Sequence, residues 1–165
     1  MTGRLLALPL LAVAAGWLSG CAGTVAPEVA MPSMYLPLTT QSASLDTGAA
    51  SDMISAYRAN HGEAALRVDP DLQKLAETEA AAMAVADRPS QSRTVRNAIG
   101  RLGYVSPDAN LSAGYHTLAE AFSGWRDSPP HNAVMLSADA TRMGIATAYA
   151  PGSKYKVYWA LLVAK

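Results

Sequence analysis

The chain has 165 residues, enough for one domain and too few for two comfortable ones. Half of it is hydrophobic, which supports a core, and 13 basic residues balance 13 acidic ones. With no basic run and no basic helix face, neither nucleic acid nor an anionic membrane surface is a predicted partner.

The N-terminal stretch MTGRLLALPLLAVAAGWLSGC carries one positive residue, Arg4, then an uncharged apolar run from Leu5 to Leu18. That run is too short for a stable transmembrane anchor and the right length for the apolar region of a signal segment. Its end, Leu18-Ser19-Gly20-Cys21, resembles a bacterial lipobox. There, small residues let the peptidase approach the backbone, and the cysteine thiol takes a diacylglycerol before cleavage. The prediction is a lipoprotein signal peptide over residues 1–20 and a mature chain starting at lipidated Cys21. Cleavage removes Arg4 and leaves 13 − 1 = 12 basic residues against 13 acidic. Cys21 is the only cysteine, so no disulfide can form within the domain and its stability must come from its core. Attachment is by acyl chains, more than one being needed for stable anchoring. Ala22 rather than Asp after the cysteine resembles the outer-membrane lipoproteins of Gram-negative bacteria, which implies an outer-membrane anchor facing the periplasm.

Residues 22–50 are rich in Ala, Ser, Thr and Pro, lack Lys and Arg, and hold no apolar period. They are predicted to be a flexible tether with an r.m.s. span of roughly 30 Å and a fully extended reach of about 100 Å. Met34 to Leu38, MYLPL, is the apolar exception and a candidate for docking on the domain.

The domain proper is predicted over 51–165. SDMISAYRANHG places Ser51 as N-cap, Met53, Ile54 and Tyr57 on one helix face, and Gly62 as the stop. DPDLQKLAETEAAAMA opens with Asp69 as cap and Pro70 at the first helical position, then aligns Leu72, Leu75, Ala76, Ala80 and Met83. SRTVRNAIGRLG spaces Val95, Ile99 and Leu102 helically before Gly103. TLAEAFSGW carries the capping-box pair Thr117 and Glu120 and aligns Leu118, Phe122 and Trp125. Ser128-Pro129-Pro130 caps and starts one more short helix through Leu136. ANLSAGY (109–115) is a weak strand candidate. RMGIATAY, the turn APGS and KYKVYWALLVA form a strong terminal hairpin. Tyr155, Val157, Trp159, Leu161 and Val163 alternate in its last strand, whose other face turns apolar, so both faces are predicted to be covered. Helices gathered ahead of a terminal antiparallel hairpin predict an α+β fold with helices on both faces of a small sheet.

MISAYRANHGEAALRVDPDLQKLAETEAAAMA resembles the opening of CAP domains, also called SCP-like domains. The family includes cysteine-rich secretory proteins, antigen 5 and plant pathogenesis-related 1 proteins. LGYVSPDANLSAGYHTLAEAFSGWRDSPPHNAVML is similar to the family's middle, usually Gly-Glu-Asn-Ile-Ala, Gly-Tyr, Trp, Ser-Pro and His. RMGIATAYAPGSKYKVYWALLVA is similar to its closing hairpin. The ordered set covers residues 51–165 and implies a three-layer α-β-α sandwich around a small antiparallel sheet.

In that family a cleft lined by histidines and acids holds a divalent cation in some members. The later His matches His131. The earlier His would fall within Ala86 to Ser92, where there is none. The Glu of Gly-Glu-Asn falls on Ala109, with Asn110 kept. The second acid of eukaryotic members falls near Ser128. A zinc site needs three or four converging ligands, and general acid–base work needs a titrating group oriented by a partner. The prediction is no metal, no cofactor and no hydrolysis run by the family cleft.

The remnant-cleft candidates are His131, Ser128, Asn110 and Glu120. Glu120 is explained by its capping box, Ser128 by a helix N-cap, and Asn110, by resemblance, as a brace for the backbone. His61 and His116 are predicted as surface residues, Arg126 and Asp127 as a surface pair, and Trp125, Tyr104 and Tyr115 as core. His131 sits near a helix N-terminus, where the dipole disfavours the imidazolium, and is predicted to be a neutral ring hydrogen-bonded to backbone. Read as functional instead, it marks a remnant cleft that binds something small. The predicted role is an envelope-anchored, non-enzymatic binding or structural module. Its partners would be the membrane through Cys21 and the cell wall, an envelope protein or an apolar small molecule. The alternative is a hydrolase or protease-like enzyme pairing His131 with an unaligned carboxylate, Glu120 or Asp127.

Overall fold

The computed structural model describes residues 30–165. The predicted signal peptide, Cys21 and the first residues of the predicted tether lie outside the described residues. A 3₁₀ turn at Ser33–Tyr35 leads to α1 (Thr47–Ala59), β1 (Arg67–Val68), α2 (Pro70–Ala86) and α3 (Ser92–Arg101). Then come β2 (Asp108–Ala113), α4 (Leu118–Arg126), α5 (Pro129–Met135), β3 (Arg142–Tyr149) and β4 (Val157–Ala164). The strands form one sheet in the order β1-β3-β4-β2. β4 pairs antiparallel with both β3 and β2. β1 adds an edge of two residues parallel to β3. It is absent from the sequence prediction because two residues carry no alternation to read.

β4 divides the core. Every one of its residues is buried. Val157, Trp159, Leu161 and Val163 pack with Ile54 of α1, Leu118 and Trp125 of α4 and Met135 of α5. Tyr158, Ala160, Leu162 and Ala164 pack with Leu72 and Met83 of α2 and Val95 and Ile99 of α3. The period of two along the strand thus serves two helical layers, and the α-β-α sandwich follows. Trp125 meets Trp159 edge to face, ring centroids 5.9 Å apart.

Two helix caps form on the predicted residues. Asp69 accepts the Asp71 and Leu72 N–H groups at 3.0 and 3.2 Å, with Pro70 opening α2. Thr117 accepts the Glu120 N–H at 3.2 Å. The first helix departs from its prediction. Its cap is Asp46, which accepts the Ala49 N–H at 2.9 Å, and Ser51 lies inside the helix with its hydroxyl donating to the Leu66 carbonyl at 3.3 Å.

The packed fold also reaches back past residue 51. Leu38 is buried and its N–H donates to the His116 carbonyl at 2.8 Å, while Met34, Ala43 and Leu45 pack against the core. Of the predicted tether, residues 47–50 begin α1 and residues 31–46 form a strap on the domain. Its shape is imposed by tertiary contacts, which leave no period in the sequence. A second departure lies in the hairpin. Lys156 adopts a left-handed backbone, φ 67°, which resets the alternation. Tyr155 therefore packs in the layer of Tyr158 instead of that of Val157.

Candidate functional site

β2 is the outer strand beyond β4, so the unpaired side of its backbone borders a cleft of about 300 Å³. Asp108 to Leu111 form one wall, Pro130, His131 and Val134 of α5 another, and Ser90, Ser92 and Arg96 around the start of α3 the third. Ser90 also lines a neighbouring groove of about 460 Å³ bounded by Glu79, Arg88 and Gln91. The two depressions share that serine as a common wall.

Period two along β2 puts Asn110 and Ser112 on the face toward α4 and α5. Ser112 accepts the Trp125 indole N–H at 3.0 Å, and the Asn110 amide donates to the His131 carbonyl at 2.9 Å. Asn110 is therefore a clasp between the sheet edge and α5. Its Oδ1 and the His131 Nδ1 are both buried and have no protein partner. Leaving such atoms unpaired costs about 1–3 kcal/mol each.

His131 departs from its prediction in one respect: no hydrogen bond joins its ring to backbone among the described residues. Desolvation holds its pKa below the ordinary 6.5, which keeps the ring neutral at neutral pH. The unfolded chain takes up that proton first as the pH falls. The stability contributed by the neutral ring is present above about pH 6.5 and is lost as the pH falls through the lower folded value. Melting temperatures should therefore drop between pH 7.5 and 5 more steeply in the native chain than in His131→Gln. Parallel pH profiles for the two would refute this.

The other candidates do not converge on the ring. Ser128 occupies the N-cap position of α5, but its side chain makes no capping hydrogen bond, contrary to prediction; only its carbonyl serves, accepting the Asn132 N–H at 2.8 Å. Glu120 turns to its own helix start and accepts the His116 N–H at 2.6 Å, one residue before the expected capping-box partner. Asp127 pairs with Arg126 at 2.8 Å on the surface. His61 is exposed, yet its Nδ1 lies 2.8 Å from the Tyr57 carbonyl and its ring rests 4.4 Å from the Tyr57 ring. Tyr104, predicted as core, is half-buried and its hydroxyl donates to Asp69.

Two cleft residues escaped the sequence reading. Asp108 lines the cleft and pairs with Arg96 at 3.3 Å, also accepting the Ala109 N–H at 2.9 Å. The signal was available: Asp108 precedes Asn110 by two, hence on the same side of the strand. It lies outside the positions that the family resemblance aligns. No carboxylate touches the His131 ring among the described residues. No three His, Cys, Asp or Glu side chains gather there as a metal site either. One imidazole and one carboxylate already engaged by Arg96 do not fit a divalent cation. What lines the cleft is hydrogen-bonding side chains: Asn110, His131, Ser90, Ser92 and the Arg96 guanidinium.

Residues 51–163 match the family model described as CAP, cysteine-rich secretory protein family. No curated protein sequence matches. Among solved structures, the chain is similar to a cysteine-rich secretory protein from Staphylococcus aureus, TM-score 0.59 and 15% identity, covering 72% of this chain and 37% of that one. It is similar to an extracellular SCP-domain protein from Bacillus anthracis, TM-score 0.60 and 18% identity, covering 72% and 40%. It is also similar to an outer surface protein from Borrelia burgdorferi, TM-score 0.62 and 17% identity, covering 74% and 97%. The match thus spans about two fifths of the first two proteins and nearly the whole of the third.

Proposed function

The chain belongs to the cysteine-rich secretory protein (CAP) family, and on that footing we propose that it is a lipid-anchored, non-enzymatic binding module of the bacterial envelope whose cleft takes a cell-wall polymer. Anchoring would run through Cys21, with the domain facing the periplasm from the outer membrane. Two structural neighbours, one an extracellular protein and one an outer surface protein, support an envelope setting.

The observation that carries the reading is a cleft lined by Ser90, Ser92, Arg96, Asn110 and His131, with no nucleophile–base pair among the described residues. A ligand bearing hydroxyl or amide groups would exchange hydrogen bonds with these side chains, whereas an apolar small molecule would desolvate them without replacement. The two depressions joined at Ser90 favour an extended, repeating ligand over a compact one. Glycan and stem peptide of the cell wall have that chemistry. Catalysis is not part of the reading, because among the described residues no carboxylate orients the His131 ring and Glu120 serves its own helix start.

Co-sedimentation of the mature chain with isolated cell-wall sacculi tests it. Binding should saturate and weaken roughly tenfold in Arg96→Glu, the loss of about one charge-assisted contact. A folded chain that stays in the supernatant would defeat the proposal. So would a stoichiometric Zn²⁺ site by calorimetry that disappears in His131→Gln.

A further inference from the structure

The strap leaves an apolar patch at the start of the described residues. Met31, Tyr35 and Leu36 are 61%, 52% and 47% exposed, and Pro32 and Pro37 are exposed beside them. Of the seven exposed large hydrophobic residues among those described, three fall within this window of six; the others are Val68, Val85, Leu102 and Val105. The patch is held rigidly outward. Tyr35 and Leu36 donate backbone N–H groups to Pro32 and Ser33 at 3.0 and 3.1 Å, while Met34 and Leu38 turn inward against the core.

Only nine residues, 22–30, separate Cys21 from Met31. Nine residues span at most about 30 Å, so a lipidated Cys21 keeps Met31 within that distance of the bilayer. We propose that the strap docks on the membrane that anchors the chain, with Met31, Tyr35 and Leu36 entering its interfacial layer. The proposal rests on the lipidation reading of Cys21.

Confinement supplies the affinity that three side chains lack alone, since a short tether sets an effective concentration on the order of millimolar. Tyrosine suits the headgroup layer, and Met and Leu suit the acyl boundary below it. No Lys or Arg occurs between residues 22 and 50, so the contact is apolar and owes nothing to anionic lipid. The domain consequently lies against the bilayer instead of roaming on a long leash.

The test uses full-length protein matured in a Gram-negative host and reconstituted into phosphatidylcholine vesicles. Its mass first reports the diacylglycerol, and hydrogen exchange then reports the strap. Amides of residues 31–38 should exchange roughly tenfold more slowly on vesicles than in a vesicle-free chain expressed from Ala22, at low and high salt alike. The lipidated double variant Tyr35→Ser, Leu36→Ser, altered only at exposed positions, should exchange at the solution rate. A mass without diacylglycerol sinks the anchoring reading and the docking with it. A lipidated chain with an unprotected strap, or protection that survives in the double variant, sinks the docking alone. Protection that grows with concentration in the vesicle-free chain would show a contact between copies and also overturn it.

Discussion

Replacing Arg58 with Leu should cost about 4 kcal/mol of folding stability, read as a fall in the urea midpoint at unchanged slope. Arg58 is 0% exposed and meets no carboxylate. Its guanidinium donates instead to four carbonyls: Ala64 at 2.6 Å, Met135 at 2.7 Å, Ser137 at 2.9 Å and Ala140 at 3.1 Å. Met135 ends α5, so one acceptor is a carbonyl that the helix itself leaves without a partner, at the end of the dipole that favours a cation. The other acceptors come from the loop after α1 and the turn leading into β3. One side chain therefore ties three segments across the layer of α1 and α5. Burial pulls the Arg58 pKa down and nearby Glu63 opposes this, yet an arginine stays charged. Leu fills much of the volume but strands the Met135 and Ala140 carbonyls in buried surroundings and removes the part-buried bonds to Ala64 and Ser137. Arg58→Lys should recover only part of the loss, because an ammonium has three donors and no planar fork. A Leu variant within 1 kcal/mol of the native chain would contradict the clasp.

Arg58 also shows where the sequence stops being legible. Arg58 falls in the stretch that carries the family resemblance, but nothing there reveals that three of its four partners lie 77 to 82 residues away. By contrast, α2 could be read from Asp69-Pro70 and its apolar stripe, and β3 from RMGIATAY, because caps and periodicity act within one element. The same division holds at the cleft. Asn110 and His131 stand out by resemblance, whereas their orphaned atoms depend on how β2 and α5 meet. Arg96 and Asp108 likewise read as ordinary surface charges until α3 is laid against the sheet edge. The strap is the extreme case: MYLPL hints at docking, yet it takes the Leu38 bond to His116 and the packing of Met34, Ala43 and Leu45 to make the expected tether part of the domain.

Gly144→Ala should be nearly as damaging, at about 3 kcal/mol, and the reason is closeness of approach rather than backbone freedom. A Cβ on Gly144 would sit 2.3 Å from the carbonyl carbon and oxygen of Leu72 and 2.4 Å from the Gln73 nitrogen. These are backbone atoms in the first turn of α2, so relief requires moving the helix. That turn is fastened to β3 on both sides of the glycine. Asp69 donates its N–H to the Met143 carbonyl at 2.8 Å, and the Gln73 side chain exchanges two 3.0 Å hydrogen bonds with the backbone of Ile145. The Gln73 amide in effect continues the edge pairing where the two residues of β1 run out. Lifting α2 to admit a methyl group breaks these bonds and opens the layer packed around Leu72. Gly124→Ala is the control. Its Cβ would meet the Tyr115 hydroxyl at 2.2 Å, a worse clash on paper, but the obstacle is the end of a half-buried side chain that can swing aside. Alanine also favours the helix at that position by up to about 1 kcal/mol. Gly124→Ala should therefore cost at most about 1 kcal/mol by the same urea titration. Equal losses for the two variants would mean that steric distance alone decides, and that the fastening of α2 to β3 counts for little.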